Sequence, residues 1–332
     1  MDDQTTSRIA ALQQIWQLVF HRSPITADDD FFDLGGDTWL AAESFSHINR
    51  EFSLHLPPST LCHAPTITAL AAVLDNPPSS GPAIQVKKGT DAAPIFIFHG
   101  IGSSVIDLVP LVRRMQSDHP IYALESKGND GYEDPLDRVE DFASFFLPAI
   151  RKIQPHGPYG LIGYSFGGLV ALEIAQRLKA EAEPIRLLAM LDSYPDRRYL
   201  SFRQNSRLLL QLARRRLSHP LNADRGPKRQ LTRPRDLDRS SLVQALQRVK
   251  DAQYRALHSY RPRFYDGVVQ FVRAAVPTRF PADPVPVWSP LVRALEVETV
   301  PGEHVDMLTS SVGQLASLLD AYVRDTRNGG EG

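Results

Sequence analysis

Apolar residues in the first part of the chain recur every three or four positions, which predicts short amphipathic helices. The first helix is expected over 7–20. A second should begin at Asp37 or Thr38, since either residue type can cap a helix, and a last one at Thr66. These short helices predict a small all-α bundle over residues 1–77.

Proline and small polar residues follow this helical part, in the segment Asn76-Pro77-Pro78-Ser79-Ser80-Gly81-Pro82. The segment has no apolar periodicity, and its prolines favour an extended backbone. A linker between two domains is therefore predicted over 78–92.

Beyond the linker, the apolar positions form short continuous runs separated by segments with helical spacing. The runs cover 94–98, 120–124, 158–162, 186–191, 267–272 and 295–300, and a closing helix is expected over 312–325. Continuous apolar runs are typical of parallel strands that are buried on both faces. Their alternation with helices predicts an α/β domain over 93–327 with a mostly parallel sheet and helices on both faces.

One long segment, about 196–263, interrupts this alternation. It holds helical patterns at 208–212 and 242–246, separated by a loop rich in proline, glycine and arginine. An insertion of this length between core strands is usually a lid or a binding element. We therefore predict a helical lid.

Composition narrows the class of protein. The chain has 332 residues, of which 42% are apolar and 23% charged, and its formal net charge is −1. This is typical of a globular domain protein, and no apolar run reaches the ~20 residues that a membrane span needs. Cys62 is the only cysteine, which excludes a disulfide framework and a cysteine-based metal site. A cytoplasmic protein without a metal is expected.

The sequence Gly163-Tyr164-Ser165-Phe166-Gly167 lies between a predicted strand and a predicted helix. Strand, G-x-S-x-G and helix in this order are the context of a nucleophile elbow, a strained turn that lifts the serine above the sheet. Ser165 is therefore the candidate nucleophile. The backbone amides of Phe166 and of Ile101, in the loop after the first strand of the domain, are candidates for an oxyanion hole.

A serine hydroxyl needs a base that takes its proton and an acid that orients the base. In an α/β-hydrolase these partners follow in the order Ser, Asp, His. Asp192 ends a predicted strand and His304 lies just past the final one, so both are expected at the carboxyl edge of the sheet. Asp266 and Asp283 remain alternatives for the acid. His99 is expected to shape the loop that contains it. Asp306 lies beside the candidate base and is expected to support the catalytic residues without being the acid itself.

Four motifs together resemble one family: Gly163–Gly168, Leu191-Asp192-Ser193-Tyr194, Tyr260-Arg261-Pro262 and Gly302-x-His304-x-x-Met307-Leu308. Residues 93–327 resemble a type I thioesterase domain of a non-ribosomal peptide synthetase, with an α/β-hydrolase fold. The resemblance implies that an acyl group passes from a carrier thioester to Ser165. It would then be released to water, to an internal hydroxyl or amine, or to a carbon nucleophile, as in short adenylation–carrier–thioesterase enzymes.

The first domain resembles a peptidyl or acyl carrier domain through Asp30-x-Phe32-x-x-Gly35-Gly36-Asp37, Leu40 and Pro65-Thr66-Ile67. That family holds 4'-phosphopantetheine on a serine directly after Gly-Gly-Asp, where this chain has Thr38. The extra methyl of threonine crowds the hydroxyl and restricts χ1. Either Thr38 is modified slowly, or the domain is a docking module without an arm in which Thr38 caps a helix. We expect little or no loading.

This resemblance also implies partners: carrier domains, upstream synthetase modules and, if Thr38 is modified, a phosphopantetheinyl transferase. Residues 1–77 hold ten acidic residues and three arginines, whereas 196–263 hold eighteen Lys or Arg and five Asp. The basic insertion is interpreted first as solvated lid surface. It could instead attract the acidic domain or the phosphates of a pantetheine arm. Nucleic-acid binding is disfavoured, since no matching fold or stacking aromatics accompany the charge.

Three functions therefore compete. The first is a chain-terminating thioesterase or cyclase, the second a carrier-docking or scaffold protein with a vestigial hydrolase, and the third a stand-alone esterase. The intact set of Ser165, Asp192 and His304 favours the first over the second. An attached carrier-like domain has no evident use in the third.

Overall fold

A computed structural model describes residues 3–75, 81–200, 202–206, 208–210, 241–277 and 280–328. Most of the loop predicted between the helical patterns at 208–212 and 242–246, up to residue 240, lies outside these residues, as do residues 211–212 of the first pattern. No helix in the described ranges is long and apolar enough to cross a membrane.

The N-terminal part is a helical bundle, residues 3–75. It contains α1 (Asp3–Phe20), α2 (Thr38–Phe52), a 3-10 helix (Pro58–Cys62) and α3 (Ile67–Val73). Aromatic side chains pack in its core. The rings of Trp16 and Phe20 both contact the Phe31 ring edge-on, with centroids 5.4 and 5.3 Å from the Phe31 centroid, respectively.

The cap of α2 is Asp37, whose carboxylate accepts the amides of Trp39 and Leu40. Thr38 is the first helical residue, so the expectation that Thr38 itself is the cap is wrong. The short Asp37 side chain lies one residue earlier, in extended backbone, from which it reaches the first free amides of the helix. The Thr38 hydroxyl is thus left for other contacts.

In the described residues, the second part is built on seven strands in the order β1-β3-β2-β4-β5-β6-β7, in which only β1 is antiparallel to its neighbour. The strands are β1 (Ala83–Lys87), β2 (Ile95–Phe98), β3 (Ile121–Leu124), β4 (Tyr159–Tyr164), β5 (Ile185–Leu191), β6 (Tyr265–Ala274) and β7 (Val292–Val300). The mostly parallel sheet of the prediction is therefore present.

The edge strand β1 lies within the stretch predicted to be a linker. Of its five residues only Ile84 is buried, and within the described residues the strand pairs with β3 alone. Such a short strand carries almost no hydrophobic pattern, which is why the sequence did not reveal it.

Helices cover both faces of the sheet, and each face has its own apolar core. They are α4 (Val109–Arg114), α5 (Val139–Ile153), α6 (Phe166–Ala180), α7 (Ser241–Ser259), α8 (Val285–Trp288) and α9 (Val312–Asn328), with 3-10 helices at Val105–Leu108, Arg197–Tyr199 and His304–Leu308.

Helix α7 belongs to the predicted lid and packs against the helical bundle. Leu242 and Leu246 of α7 join the buried core of the bundle, as does Ile106 from the 3-10 helix Val105–Leu108. Lys250 lies over the Trp39 ring, 5.8 Å from its centroid. The described contact between the basic insertion and the acidic bundle therefore includes apolar burial and a cation–π pair.

Candidate functional site

Register within the sheet brings the predicted site residues to one edge. Tyr164, at the end of β4, pairs with Leu191 at the end of β5, so Ser165 and Asp192 leave adjacent parallel strands at the same level. The Ser165 amide donates to the Leu191 carbonyl at 2.8 Å and the Asp192 amide donates to the Val272 carbonyl at 2.7 Å. Both residues thus remain tied to the sheet edge.

Ser165 has the strained backbone of an elbow, with φ 55° and ψ −119°. Non-glycine residues rarely adopt such values, and they persist only where the surroundings enforce them. Around Ser165, two glycines allow close contacts between backbone segments. A Cβ on Gly163 would lie 2.3 Å from the Gly167 carbonyl oxygen, and one on Gly167 would lie 2.3 Å from the Phe98 carbonyl oxygen. The two glycines therefore let α6 start directly against β2 and β4.

Asp192 and His304 meet across the sheet edge. The Nδ1 of His304 lies 2.8 Å from Oδ2 of Asp192. A carboxylate accepts at this position, so Nδ1 carries the proton and Nε2 is left as an acceptor. Asp192 is buried, and its backbone has φ 47°, a value that aspartate tolerates. This is the arrangement of an oriented base.

The His304 ring contacts Tyr164, the residue before Ser165. Tyr164 stacks on the imidazole, with ring centroids 4.8 Å apart and an angle of 17° between the planes. Its hydroxyl donates to the His304 carbonyl at 2.9 Å. Phe280 contacts the imidazole edge-on at 5.2 Å. The imidazole is thus held between two aromatic rings.

The Ser165 hydroxyl makes no hydrogen bond to His304 or to any other residue in the described part of the chain. Hydrogen bonds between nucleophile and base are often long in enzymes without substrate and shorten in the reacting complex. The structure therefore brings the acid and the base into contact, and the tyrosine that precedes Ser165 stacks on the base.

Two backbone amides are available for an oxyanion. Phe166 is the first residue of α6, where the amide has no partner within the helix. Ile101 lies in the turn after β2, and within the described ranges its amide makes no hydrogen bond. Gly100 packs against the serine, since a Cβ there would lie 3.3 Å from the Ser165 Cβ. The loop that holds the Ile101 amide is therefore adjacent to Ser165.

Gln253 of α7 holds one side of this loop. It is fully buried, its Oε1 accepts the Gly102 amide at 2.8 Å, and its Nε2 donates to Ser126 Oγ at 3.1 Å. Gly102 has φ 66°, the left-handed region that favours glycine. Helix α7 thus fixes the residue that follows Ile101.

His99 holds the other side of the loop that contains Ile101. The Ser126 hydroxyl donates to its Nε2 at 3.0 Å, and its Nδ1 donates to the Gly100 carbonyl at 2.9 Å. Burial lowers the pKa of His99 to about 4, so the ring is neutral and Nε2 can accept. One chain of hydrogen bonds therefore runs from Gly102 through Gln253, Ser126 and His99 to Gly100, on both sides of Ile101.

Glu125 lies beside this chain of hydrogen bonds and has a raised pKa. Its Oε1 accepts the Ser126 amide at 2.9 Å and the Asn129 side-chain amide, and lies 3.6 Å from His99 Nε2. Burial raises the pKa of Glu125 to about 7. The folded state therefore binds the Glu125 proton more tightly than the unfolded state does. Protonation of Glu125 contributes fully to the free energy of unfolding below the ordinary pKa of 4.5, and this contribution is lost as the pH rises through about 7.

The change Glu125→Gln should therefore stabilise the protein relative to the parent increasingly as the pH rises from about 4.5 to about 7, because glutamine remains neutral. Urea unfolding of both proteins across this range measures the difference. The exposed Glu133, which pairs with Lys127, supplies the control variant Glu133→Gln. If the difference in free energy of unfolding between Glu125→Gln and the parent did not change with pH, the raised pKa of Glu125 would be contradicted.

The remaining acids that the sequence offered have other contacts. Asp266 pairs with Lys179 and Arg293, and Asp283 accepts the Val285 amide. Asp306 accepts the Glu303 amide in the capping box of the 3-10 helix that begins at His304. Asp192 is the acid that contacts the His304 ring.

Sequence reasoning missed Tyr164 and Gln253. Tyr164 is the variable position of G-x-S-x-G, and no signal in the sequence indicates that it stacks on a distant histidine. Gln253 lies in a helix of the insertion, 151 residues from Gly102. A fully buried glutamine is the kind of residue that needs polar partners, but burial is visible only in the structure.

Two families match the sequence. A family described as "Thioesterase domain" matches residues 93–323, and one described as "Phosphopantetheine attachment site" matches residues 10–74. The chain is 34% identical over 189 residues to a dimodular non-ribosomal peptide synthase of Bacillus subtilis (strain 168), a match that covers 56% of this chain and 8% of that protein. The chain thus spans a small fraction of this relative.

Solved structures agree on the fold. Holo-AB3403, a four-domain non-ribosomal peptide synthetase bound to AMP and glycine, matches 95% of this chain and 26% of its own with a TM-score of 0.59 and 23% identity. The NocB thioesterase domain, in covalent complex with a fluorophosphonate nocardicin G analogue, matches 70% of this chain and 95% of its own with a TM-score of 0.52 and 21% identity. The predicted α/β-hydrolase fold after a carrier-like bundle is confirmed.

Phosphopantetheine is the cofactor that the second family implies for the bundle. The motif Gly35-Gly36-Asp37 makes Thr38 the candidate attachment position. Thr38 is 2% exposed, and its hydroxyl is within 2.8 Å of both Ser104 Oγ and Asp107 Oδ2. An attached arm needs this oxygen free and facing open space. The residues around Thr38 therefore do not fit the cofactor in this arrangement. In the described part of the chain, no group of His, Cys, Asp and Glu could hold a metal ion.

Proposed function

Because the chain belongs to the thioesterase domain family, we propose that it releases an acyl or peptidyl group from the thioester of a carrier through an acyl-Ser165 intermediate. The observation that supports this most directly is the 2.8 Å contact between Asp192 and His304, at the sheet edge where Ser165 has elbow geometry. An oriented base beside a strained serine is the arrangement that acyl transfer requires.

In the first half-reaction, His304 Nε2 accepts the proton of Ser165 as Oγ attacks the thioester carbonyl carbon. The amides of Ile101 and Phe166 donate to the oxyanion, and Asp192 stabilises the imidazolium. When the tetrahedral intermediate collapses, the carbon–sulfur bond breaks and His304 returns its proton to the leaving thiolate. The acyl group is then esterified to Ser165.

In the second half-reaction, His304 accepts a proton from the acceptor, which attacks the acyl-serine. Ser165 leaves and recovers its proton from His304. With water as acceptor the product is a free acid; with an internal hydroxyl or amine it is a ring, and with a carbon nucleophile a condensed product. The partners that follow from this proposal are carrier domains and upstream synthetase modules.

A comparison of two substrates tests this function against a stand-alone esterase. We expect kcat/KM for an acyl-pantetheine thioester to exceed that for the p-nitrophenyl ester of the same acid. An esterase acting on free small esters predicts the reverse order, and a vestigial hydrolase predicts that neither substrate is cleaved.

The hydrogen-bond chain around Ile101 leads to a separate prediction. Replacing Gln253 with leucine removes the acceptor of the Gly102 amide and the donor to Ser126, so the loop should lose its fixed position. Since the loss of one oxyanion donor costs about 10²–10³ in rate, we expect kcat to fall by about tenfold to a hundredfold while KM changes little.

Gln247 is a matched control, since it lies in the same helix, is exposed and bonds only to Asp251 among the described contacts. The variant Gln247→Leu should retain the parental kcat. Thermal unfolding of both variants separates positioning from general destabilisation. An unchanged kcat in Gln253→Leu would show that Gln253 does not position the Ile101 amide.

A further inference from the structure

The helical bundle and the α/β part meet at Thr38 through a compact polar cluster. The Thr38 amide donates to Asp107 Oδ1 at 3.0 Å, and its hydroxyl donates to Asp107 Oδ2 at 2.8 Å. In turn, the Ser104 amide donates to Thr38 Oγ1 at 3.0 Å. Both polar groups of Thr38 are therefore paired with one carboxylate, and its oxygen also accepts from the backbone of the other part.

Further contacts surround this cluster. Arg113 makes two hydrogen bonds to the carboxylate of Asp30, at 3.0 and 2.8 Å, and lies 4.7 Å above the Phe32 ring. Leu242 and Leu246 from α7 extend the apolar core of the bundle on the side of the insertion. Thr38 thus lies inside an interface that combines apolar burial with charge-assisted hydrogen bonds.

The cluster belongs to the loop of the proposed active site. Ser104 lies three residues after Ile101, and Gly100 packs against Ser165. The bundle therefore contacts the loop that follows the Ile101 amide. A phosphodiester on Thr38 Oγ1 would remove the proton donated to Asp107 and place a negative charge beside that carboxylate. Both changes disfavour the docked arrangement.

We propose that Thr38 is an interdomain anchor and does not bear an arm: its hydroxyl fastens the bundle to Ser104 and Asp107. A threonine suits this role, because its β-branched side chain has few rotamers and so loses little entropy when its hydroxyl is fixed. If the chain releases acyl groups from a carrier, as proposed above, the thioester then comes from the arm of another carrier domain.

Loading by a phosphopantetheinyl transferase and CoA, followed by intact mass, tests the anchor. The Ser165→Ala background keeps the outcome independent of the proposed chemistry, and an ordinary carrier protein in the same tube is the positive control. We expect no mass gain for Thr38, slow loading for Thr38→Ser, and loading about tenfold faster or more for Thr38→Ser with Asp107→Ala, since the anchored hydroxyl is then released. Loading of Thr38 to completion, or equal rates for the two serine variants, would overturn the proposal.

Hydrogen exchange at the Ser104 amide gives a second readout, because this amide donates to the Thr38 hydroxyl. Exchange should quicken by about tenfold or more in Thr38→Val, which keeps the shape but lacks the hydroxyl, and stay near the parental rate in Thr38→Ser. Ser103→Ala is the control, since Ser103 also bonds to Asp107 but within the α/β part. Unchanged protection in Thr38→Val would contradict the anchor.

Discussion

Replacing Ser165 with alanine is expected to reduce acyl release by about 10⁶-fold, to no measurable turnover. The physical reason is that the acyl group can then no longer be transferred to the enzyme, while no other described hydroxyl occupies the elbow. The fold should be retained, because the Ser165 hydroxyl makes no hydrogen bond to the described residues. Turnover of an acyl-pantetheine thioester measures the effect.

Ser317 supplies the matched control, since it is exposed on α9 and its hydroxyl bonds to the Gly313 carbonyl. Ser317→Ala should retain parental turnover, and both variants should unfold at the parental temperature. Persistent acyl release by Ser165→Ala would mean that another group performs the chemistry.

The change Asp192→Asn is expected to lower kcat by about 10⁴-fold. The amide of asparagine would donate to His304 Nδ1, so the imidazole would carry its proton on Nε2 and could not accept the proton of Ser165. Asparagine also tolerates the positive φ of 47° at this position, so the backbone should change little.

Single-turnover kinetics with a thioester substrate measure this loss at the acylation step. Asp283→Asn is the control, because Asp283 bonds to the Val285 amide and does not contact His304 in the described structure. If Asp192→Asn retained kcat within about tenfold of the parent, Asp192 would not be the residue that orients the base.

Much of the site was predictable from local signals. The glycines around Ser165 indicate a turn that only small neighbours permit, and the structure has Gly167 in close contact with the Phe98 carbonyl. Asp192 and His304 were predicted from their places after strands, because parallel strands end at one edge. Their contact follows from the pairing of β5, β6 and β7.

The contacts between distant segments were not predictable. The sequence does not show what the Thr38 hydroxyl contacts, since its partner Asp107 lies 69 residues further along the chain. The hydrogen bond between Gln253 and Gly102 likewise joins an insertion to a loop of the sheet. Periodicity reports which face of an element is buried, but not which partner covers it.

The edge strand β1 was missed for a different reason. A strand paired on one side needs little apolar surface, and the sequence from 83 to 87 follows a proline-rich segment that favours a linker interpretation. Its assignment comes from the antiparallel pairing with β3, including Ala83 with Leu124.

Mapping a fluorophosphonate adduct by peptide mass spectrometry tests the central claim most directly. If Ser165 is the nucleophile that carries the acyl group, one probe should attach to the peptide that contains Ser165, and thioesterase activity should fall in proportion to the labelled fraction. Loss of activity with the adduct on another residue, or no labelling of Ser165 in an active preparation, would contradict the account.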